Sequence, residues 1–460
     1  MIKAIVGSGG KTTFIKQQAK DYYNQGLKVF VTTSTHMMIE KETLLCDDAK
    51  TIIHELDSHH YVMAGIQDGY KIKALSYETY KEVCQHADVV FIEADGSKHM
   101  PLKFPNENEP VIYDNVDEII VVSSLFALDQ KASECVHRLD NVSFIQEDDI
   151  ITATHIQKLL REGYLKPLHL QYPNKKITIH INHDDSLYQR AIAKLIEEDI
   201  DVSIVKKEWF TSQKELMICG GGHVSYELAK IASHLDFYIK VMDDRQEFAN
   251  KERFDCVDEV ICDCFENLDQ YLCHNGYYVV VSRGHKDDYI CVKTILANDY
   301  EYLGMIGSKL KVKKTFEKLS YDGFSDQQIH SIHAPIGLDI HAQTPSEIAI
   351  SILAQIIQEK NKNYSSYISQ ELFHYKGKGT LCIIVDKKGS SPRGVGSMMF
   401  VSENGIIDSI GGGAIENAVI QEAHHVQHVL LKEYHLNNKD SEKLGMICGG
   451  SNHILFIPLS

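Results

Sequence analysis

The chain has 460 residues, 43% of them hydrophobic and 24% charged, with a formal net charge of −17. That length fits about three domains of ~150 residues each, and the acid excess speaks against broad binding to nucleic acid or an anionic membrane, which calls for a basic face. No apolar run approaches the ~18 residues that span a bilayer. Met1-Ile2-Lys3 runs straight into a strand with no signal-peptide pattern, and the 11 cysteines are an odd number without a disulfide framework or a CxxC pair, so the expected setting is the cytosol with reduced thiols.

The first segment, residues 1–205, opens on a predicted strand, Ile2 to Val6, followed by Gly7-Ser8-Gly9-Gly10-Lys11-Thr12-Thr13 and a helical stretch. The strict phosphate loop GxxxxGK[ST] fails, because Ile5 stands where its first glycine belongs. The shorter GxxGKTT fits and resembles the ATP loop of Mur-type ligases. Backbone N–H groups of Gly7 and Gly10 would cradle phosphates, Lys11 would reach the β and γ oxygens, and Thr12 and Thr13 open the helix, with Thr12 helping to hold Mg²⁺. A plain glycine turn with a surface lysine is the alternative. The strand Val89–Ile92 ends in Glu93-Ala94-Asp95-Gly96, which places Glu93 and Asp95 where a nucleotide-bound metal would sit. A further strand near 177–181 leads into Asn182-His183-Asp184-Asp185, a loose match to a guanine-reading pattern that is read more simply as a turn.

These stretches, with Thr32 to Met37, Pro101-Leu102-Lys103, Glu109-Pro110-Val111 and Val136-His137-Arg138, fall in the order seen in the YqeC family. The resemblance implies a P-loop domain associated with selenium-dependent molybdenum hydroxylases, binding ATP or GTP with Mg²⁺.

After a polar stretch at 206–215, read as a linker, the segment 216–360 begins with the apolar run Leu216–Cys219 and then Gly220-Gly221-Gly222-His223-Val224-Ser225. Val224, Leu228, Ile231 and Leu235 mark one face of a helix, and a second strand ends at Asp243. This is a βαβ start in which Gly220 and Gly222 admit a pyrophosphate and Asp243, about 20 residues on, would bind a ribose 2′-OH. Ser225 replaces the third glycine of the fingerprint. Strands are expected at 257–261 and 277–282, the latter leading into Arg283-Gly284-His285, where His285 would act as a general acid or base or simply begin a helix. Thr344-Pro345-Ser346-Glu347 is a capping box for an amphipathic helix to about residue 358.

The runs Asp243 to Asn250, Leu303 to Lys309 and His333 to Ile340 closely resemble the Rossmann domain of the XdhC/CoxI family, accessory factors of xanthine dehydrogenase and carbon monoxide dehydrogenase. A second linker is expected at 360–378. The last segment, 379–460, is β-rich, with strands at 380–385, 397–401 and 405–409. It also carries a Gly389-Ser390-Ser391-Pro392-Arg393 turn, a helix start at Gly411-Gly412-Gly413, and Cys448 between an apolar strand and two glycines. It resembles the small CoxI-type domain of the same family, placed here after the Rossmann domain instead of before it. Arg393 and the Gly411–Gly413 turn would bind an anionic group, two tight turns being the alternative. In the family setting Cys448 would carry sulfur or ligate molybdenum as its thiolate, though a lone cysteine is more often a small buried residue. His424 and His428, four apart on an expected helix, and the pair Cys262 and Cys264 lack further ligands at metal spacing.

The expected fold is α/β: an N-terminal P-loop-type parallel-sheet domain (1–205), a central Rossmann-like domain (216–360) and a small C-terminal β-rich α+β domain (379–460). The resemblances imply a maturation factor for a molybdenum hydroxylase that binds nucleotide and the molybdenum cofactor (a molybdopterin). It would work with a xanthine dehydrogenase-like enzyme and a sulfur or selenium donor, without nucleic acid or membrane. Accessory factors of this kind suit homodimers. Two rivals come from other classes: an NAD(P)-dependent oxidoreductase, from Gly220–Gly222 and Asp243, and an ATP-dependent ligase, from the first loop.

Overall fold

The computed structural model describes residues 1–96, 100–182, 185–211, 213–362, 368–389, 393–435 and 450–459. The first domain is built on seven parallel strands: β1 (Ile2–Gly7), β2 (Val29–Thr33), β3 (Thr43–Leu44), β4 (Tyr61–Ala64), β5 (Val89–Glu93), β6 (Glu118–Ser124) and β7 (Lys176–Asn182). They lie in the order β7-β6-β1-β5-β2-β4-β3. Every residue of β2, β5 and β6 is buried, as expected for strands covered on both faces, which read as near-continuous apolar runs and not as alternation. Helix α1 (Lys11–Asn24) follows β1 directly, so the Gly7–Thr13 loop lies at the C-terminal edge of the sheet, with β5 on one side of β1 and β6 on the other.

The central domain is a five-stranded parallel sheet of β8 (Lys214–Cys219), β9 (Phe237–Asp243), β10 (Glu259–Cys262), β11 (Gly276–Val280) and β12 (Tyr300–Met305), ordered β10-β9-β8-β11-β12. This is the strand order of a Rossmann-type sheet, with its switch point between β8 and β11. Helix α2 (His223–Ala232) and the long helix Pro345–Lys360 cover one face, through Leu228, Ala229, Ile352 and Ile356. Tyr289, Val292, Val312 and Leu319, from two other helices, cover the opposite face. The capping box read from Thr344 and Glu347 is present: Thr344 Oγ1 accepts the Glu347 N–H, and the Glu347 carboxylate accepts the N–H groups of Gln343 and Thr344.

The small domain is antiparallel, with β13 (Gly379–Gly389), β14 (Met398–Ser402), β15 (Gly405–Asp408), β16 (Leu430–His435) and β17 (Gly450–Leu459) in the order β15-β14-β13-β17-β16. Successive side chains on a strand point to opposite faces. Cys382, Ile384, Met399, Ile454 and Phe456 therefore pack under the domain's own helix, α3 (Gly413–Ala423), with Val419 and Ala423. Leu381, Ile383, Phe400, Leu455 and Ile457 face the other way and join one core with Leu187, Ala191 and Leu195 of the first domain.

The first and third domains are thus packed on each other, although the whole Rossmann domain separates them in sequence. Two stretches expected as linkers take part in this join: Trp209, Phe210, Ile368 and Leu372 are all buried in the shared core. Hydrogen bonds reinforce it, from Arg190 to the carbonyls of Tyr375 (3.4 Å) and Gly377 (2.9 Å), and from the Val429 N–H to Glu198 (2.7 Å). Helix α3 stops at Ala423, so His424 caps it and His428 lies beyond it. The two do not share a helical face as the spacing suggested. Among the described residues no group of three or more potential metal ligands is present, and no helix is long and apolar enough to cross a membrane.

Candidate nucleotide site

A cleft of about 870 Å³ opens over the Gly7–Thr13 loop, walled by Glu93, by the short antiparallel strands around His36 and Lys71, and by Glu109 and Arg138. The loop enters α1 through Gly10, at φ 117°, and a Cβ there would come within 2.6 Å of the Asn182 amide. Glycine is therefore required, and the side chain that requires it does further work: Asn182, at the end of β7, donates to the Gly9 carbonyl at 2.9 Å. This asparagine pins the loop. Its neighbours His183 and Asp184 lie outside the described residues.

Lys11 and Thr12 open the helix, where the first N–H groups have no intrahelical partners and the dipole favours an anion. Lys11 is 5% exposed. Its ammonium donates to the Gly7 carbonyl at 2.8 Å and lies 3.9 Å from Glu93. Burial pushes the Lys11 ammonium below its ordinary range, with Glu93 and Asp95 opposing the shift. Burial likewise pushes Glu93 up, with Lys11 and Thr12 opposing. Each charge is thus short of the compensation its burial demands. A phosphate beside Lys11 and a divalent cation beside Glu93 would supply it. Thr12 Oγ1 lies 3.1 Å from Glu93 Oε2, a hydroxyl and a carboxylate side by side, which is the oxygen donor pair Mg²⁺ takes. These residues fit a magnesium nucleotide. Thr13, the second residue in from Lys11, also lines the cleft.

The two acids expected at the metal divide their tasks. Glu93 faces the cleft, whereas Asp95 is fully buried beneath the loop. Its oxygens accept from the Gly7 N–H (3.2 Å), from the Tyr164 hydroxyl (2.8 Å) and from Lys103. Lys103, also fully buried, contacts Glu109 at 2.5 Å, and Glu109 in turn holds Arg138. Asp95 is therefore the loop's anchor and not an open ligand. Lys103, Glu109 and Arg138 lay in the family-like stretches of the sequence. Tyr164 carried no sequence signal, because a tyrosine in a helical stretch reads as core.

Burial alone would raise Glu109, but the hydrogen bonds from Arg138 and Lys103 outweigh it and hold the carboxyl at about 2, well below its ordinary 4.5. A depressed folded-state value stabilises the fold above the unfolded value, and the stabilisation is lost as pH falls through the folded one. Thermal unfolding followed downward in pH should therefore show stability draining between about 4.5 and about 2. The profile of Glu109→Gln should be flatter across that window; identical acid profiles would contradict the assignment.

The second glycine turn is closed from within. Gly221 donates its N–H to Asp243 at 2.7 Å, and Asp243 is itself buried against the Arg245 guanidinium, with contacts at 2.8 and 3.0 Å. The segment after β9 crosses the turn so closely that a Cβ on Gly221 would meet the Phe248 carbonyl at 2.4 Å. Arg253 donates to the carbonyls of Gly221 and Gly222. Asp243, expected on a ribose hydroxyl, thus already holds Gly221 and Arg245. Gly220 begins the turn and Gly222, with open space around it, caps α2. His285 is exposed at the first position of the helix His285–Leu296. The buried acid there is Asp288, which accepts from Ser282 at 2.6 Å and contacts Lys311.

The third turn is likewise filled by the chain itself. Glu416 reaches back over the start of α3 and accepts from Ser409 Oγ (2.5 Å), Ile410 N–H (3.1 Å) and Gly412 N–H (3.0 Å). Burial would raise this carboxyl, but those bonds hold it below its ordinary range. The Gly412 N–H thus already serves an anion of the chain's own, and the Gly411 N–H donates to the Ser409 hydroxyl at 3.0 Å, leaving neither for an outside ligand at Gly411–Gly413. Arg393 is exposed, and the Ser390–Pro392 part of its turn, like Cys448, lies outside the described residues.

Comparison with known proteins divides the chain along the same lines. Residues 3–140 match the YqeC protein family, residues 216–356 the XdhC Rossmann domain, and residues 375–430 the XdhC and CoxI family. Among curated relatives, an uncharacterized protein YqeB of Escherichia coli (strain K12) is 32% identical over 32% of this chain and 27% of its own length. An uncharacterized protein YqeC of the same organism is 34% identical over 29% of this chain and 56% of its own. A probable xanthine dehydrogenase subunit of Bacillus subtilis (strain 168) is 22% identical over 51% of this chain and 65% of its own. The chain thus spans between 27% and 65% of the lengths of these relatives. A crystal structure described as a xanthine dehydrogenase of Bacillus halodurans is 29% identical over 35% of this chain and 47% of that one, with a TM-score of 0.30. The chain joins a YqeC-like N-terminal domain to an XdhC-type Rossmann domain and an XdhC/CoxI-type small domain in one polypeptide.

Proposed function

We propose that this chain is an accessory factor for a molybdenum hydroxylase of the xanthine dehydrogenase type, with a nucleotide-dependent first domain. The family matches of the second and third domains support the accessory role. The observation that carries the nucleotide part is the cleft over Gly7–Thr13, where Lys11, Thr12 and Glu93 stand together at a helix N-terminus. Bound there, a magnesium nucleotide would supply phosphoryl-transfer energy. The chain's own residues hold it: the N–H groups at the start of α1 and Lys11 on the phosphates, and Thr12 and Glu93 on the metal; the Gly7 N–H, expected on a phosphate, is taken by Asp95 instead.

The Rossmann and small domains, on this reading, receive the molybdenum cofactor or a precursor and present it for sulfur or selenium insertion, with Cys448 and Arg393 as the residues to test. The closed state of the Asp243 turn favours this over a dinucleotide oxidoreductase, since the ribose-binding acid is held by Arg245. The test is chemical. The chain is purified from a molybdenum-replete host and denatured, and the extract is oxidised and assayed for the fluorescent pterin of the cofactor and for bound nucleotides. Near-stoichiometric pterin is the expected result. Bound NAD(P) without pterin would move the assignment to an oxidoreductase.

A further inference from the structure

Arg138 is a second strong cation on the cleft wall, and its setting is unlike that of a surface ion pair. It follows the short strand Val136–His137, which pairs with Leu102–Lys103. Its backbone sits in the left-handed region, at φ 63°, a conformation that collects at functional sites when a non-glycine residue adopts it. Both guanidinium arms meet the Glu109 carboxylate, the second at 3.1 Å. An end-on fork of this kind uses two of the five N–H donors, and the side chain stays 25% exposed toward the cleft that Lys11 and Thr12 also line.

Everything behind it is fixed. Glu109 is held by Lys103 at 2.5 Å, Lys103 by Asp95, and Asp95 by the Tyr164 hydroxyl and by the Gly7 N–H of the phosphate loop itself. One buried chain of charges therefore sets the position of the arginine relative to the loop.

We propose that Arg138 is the guanidinium that meets the terminal phosphate of a nucleoside triphosphate held by the loop, and that the first domain hydrolyses that nucleotide. The proposal rests on the reading of Gly7–Thr13 as a nucleotide loop. In the step, a water oxygen forms its bond to the terminal phosphorus while the bridging P–O bond breaks. The electron pair of the broken bond stays on the nucleoside diphosphate, and the water proton leaves with the phosphate product or to solvent. The charge that builds on the transferring group is what a preorganised fork stabilises without reorganising. Arginines used this way in nucleotide-hydrolysing enzymes contribute about 10³-fold or more to kcat.

The test separates binding from turnover in the full-length chain with Mg²⁺ and ATP or GTP. Affinity is read with a fluorescent analogue and hydrolysis by phosphate release. Arg138→Ala is expected to lose phosphate release by roughly 10³-fold, far more than it weakens binding, because the fork serves the charge that builds only in the transferring group. Arg138→Lys should also bind and stay slow, because an ammonium cannot fork between Glu109 and a phosphate. Millimolar guanidinium should restore part of the turnover of Arg138→Ala, an effect that a merely structural arginine would not show. Nucleotide binding without phosphate release by the unaltered chain, or an Arg138→Lys variant at full rate, overturns the inference. Absence of nucleotide binding by the unaltered chain instead defeats the loop reading on which it rests.

Discussion

Lys11→Met is expected to weaken magnesium-nucleotide binding by about a hundredfold. The variant removes a charge-assisted contact to phosphate worth about 3 kcal/mol, and each 1.4 kcal/mol is about a factor of ten. The fold should tolerate the change, because among the described residues Lys11 bonds only to the Gly7 carbonyl and faces Glu93. The loop itself is pinned by Asn182 on Gly9 and by Asp95 on Gly7. Burial already pushes the Lys11 ammonium toward its neutral form, so an apolar side chain of similar length relieves a cost as well as losing an attraction. Titration with fluorescent ATP and GTP analogues reads the outcome. An unchanged dissociation constant in a folded Lys11→Met chain would remove the phosphate-loop reading.

The second large effect concerns stability. Lys103→Met should destabilise the first domain by roughly 3–5 kcal/mol, the usual consequence of breaking a buried ion pair from one side. Asp95 and Lys103 are both fully buried, and Lys103 also serves Glu109 and the Gly96 carbonyl. Three acceptors lose their shared donor at once. Because Leu381, Phe400 and Leu455 of the small domain lie in the same core as Leu187 and Ala191 of the first, the two should unfold in one transition that moves together. The Rossmann domain, with cores of its own, should keep its transition in place. Urea unfolding followed by hydrogen exchange in each region distinguishes them. A Lys103→Met chain with an unshifted first transition would show that the Asp95–Lys103–Glu109 network does not hold the domain.

The sequence was most informative where a local backbone requirement wrote itself into residue type. The inner strands β2 and β5 of the first sheet are near-continuous apolar runs because both faces are covered, and the strands that lead into the first two glycine turns stop there because the turn into a helix leaves no room for a Cβ. The Thr344–Glu347 capping box is local as well, its donors and acceptors lying within four residues. These features, with the motif order of two families, established the α/β class and the succession of the three parts.

Which glycine turn is open to a ligand was decided only in three dimensions. All three look alike in sequence: glycines after a strand and before a helix. Asp243 and Glu416 bond the chain's own N–H groups in the second and third turns, leaving the first facing a broad cleft. The same holds for Glu93 and Asp95, two residues apart. One faces the cleft and the other is buried under the loop, because Lys103 and Tyr164 reach Asp95 from 8 and 69 residues away. The packing of the small domain on the first also arises at long range, since alternation along β13 and β17 shows two apolar faces but not what covers each. Residue type and spacing determine local conformation, whereas which charge meets which, and which apolar face meets which, depends on chain segments that come together only on folding.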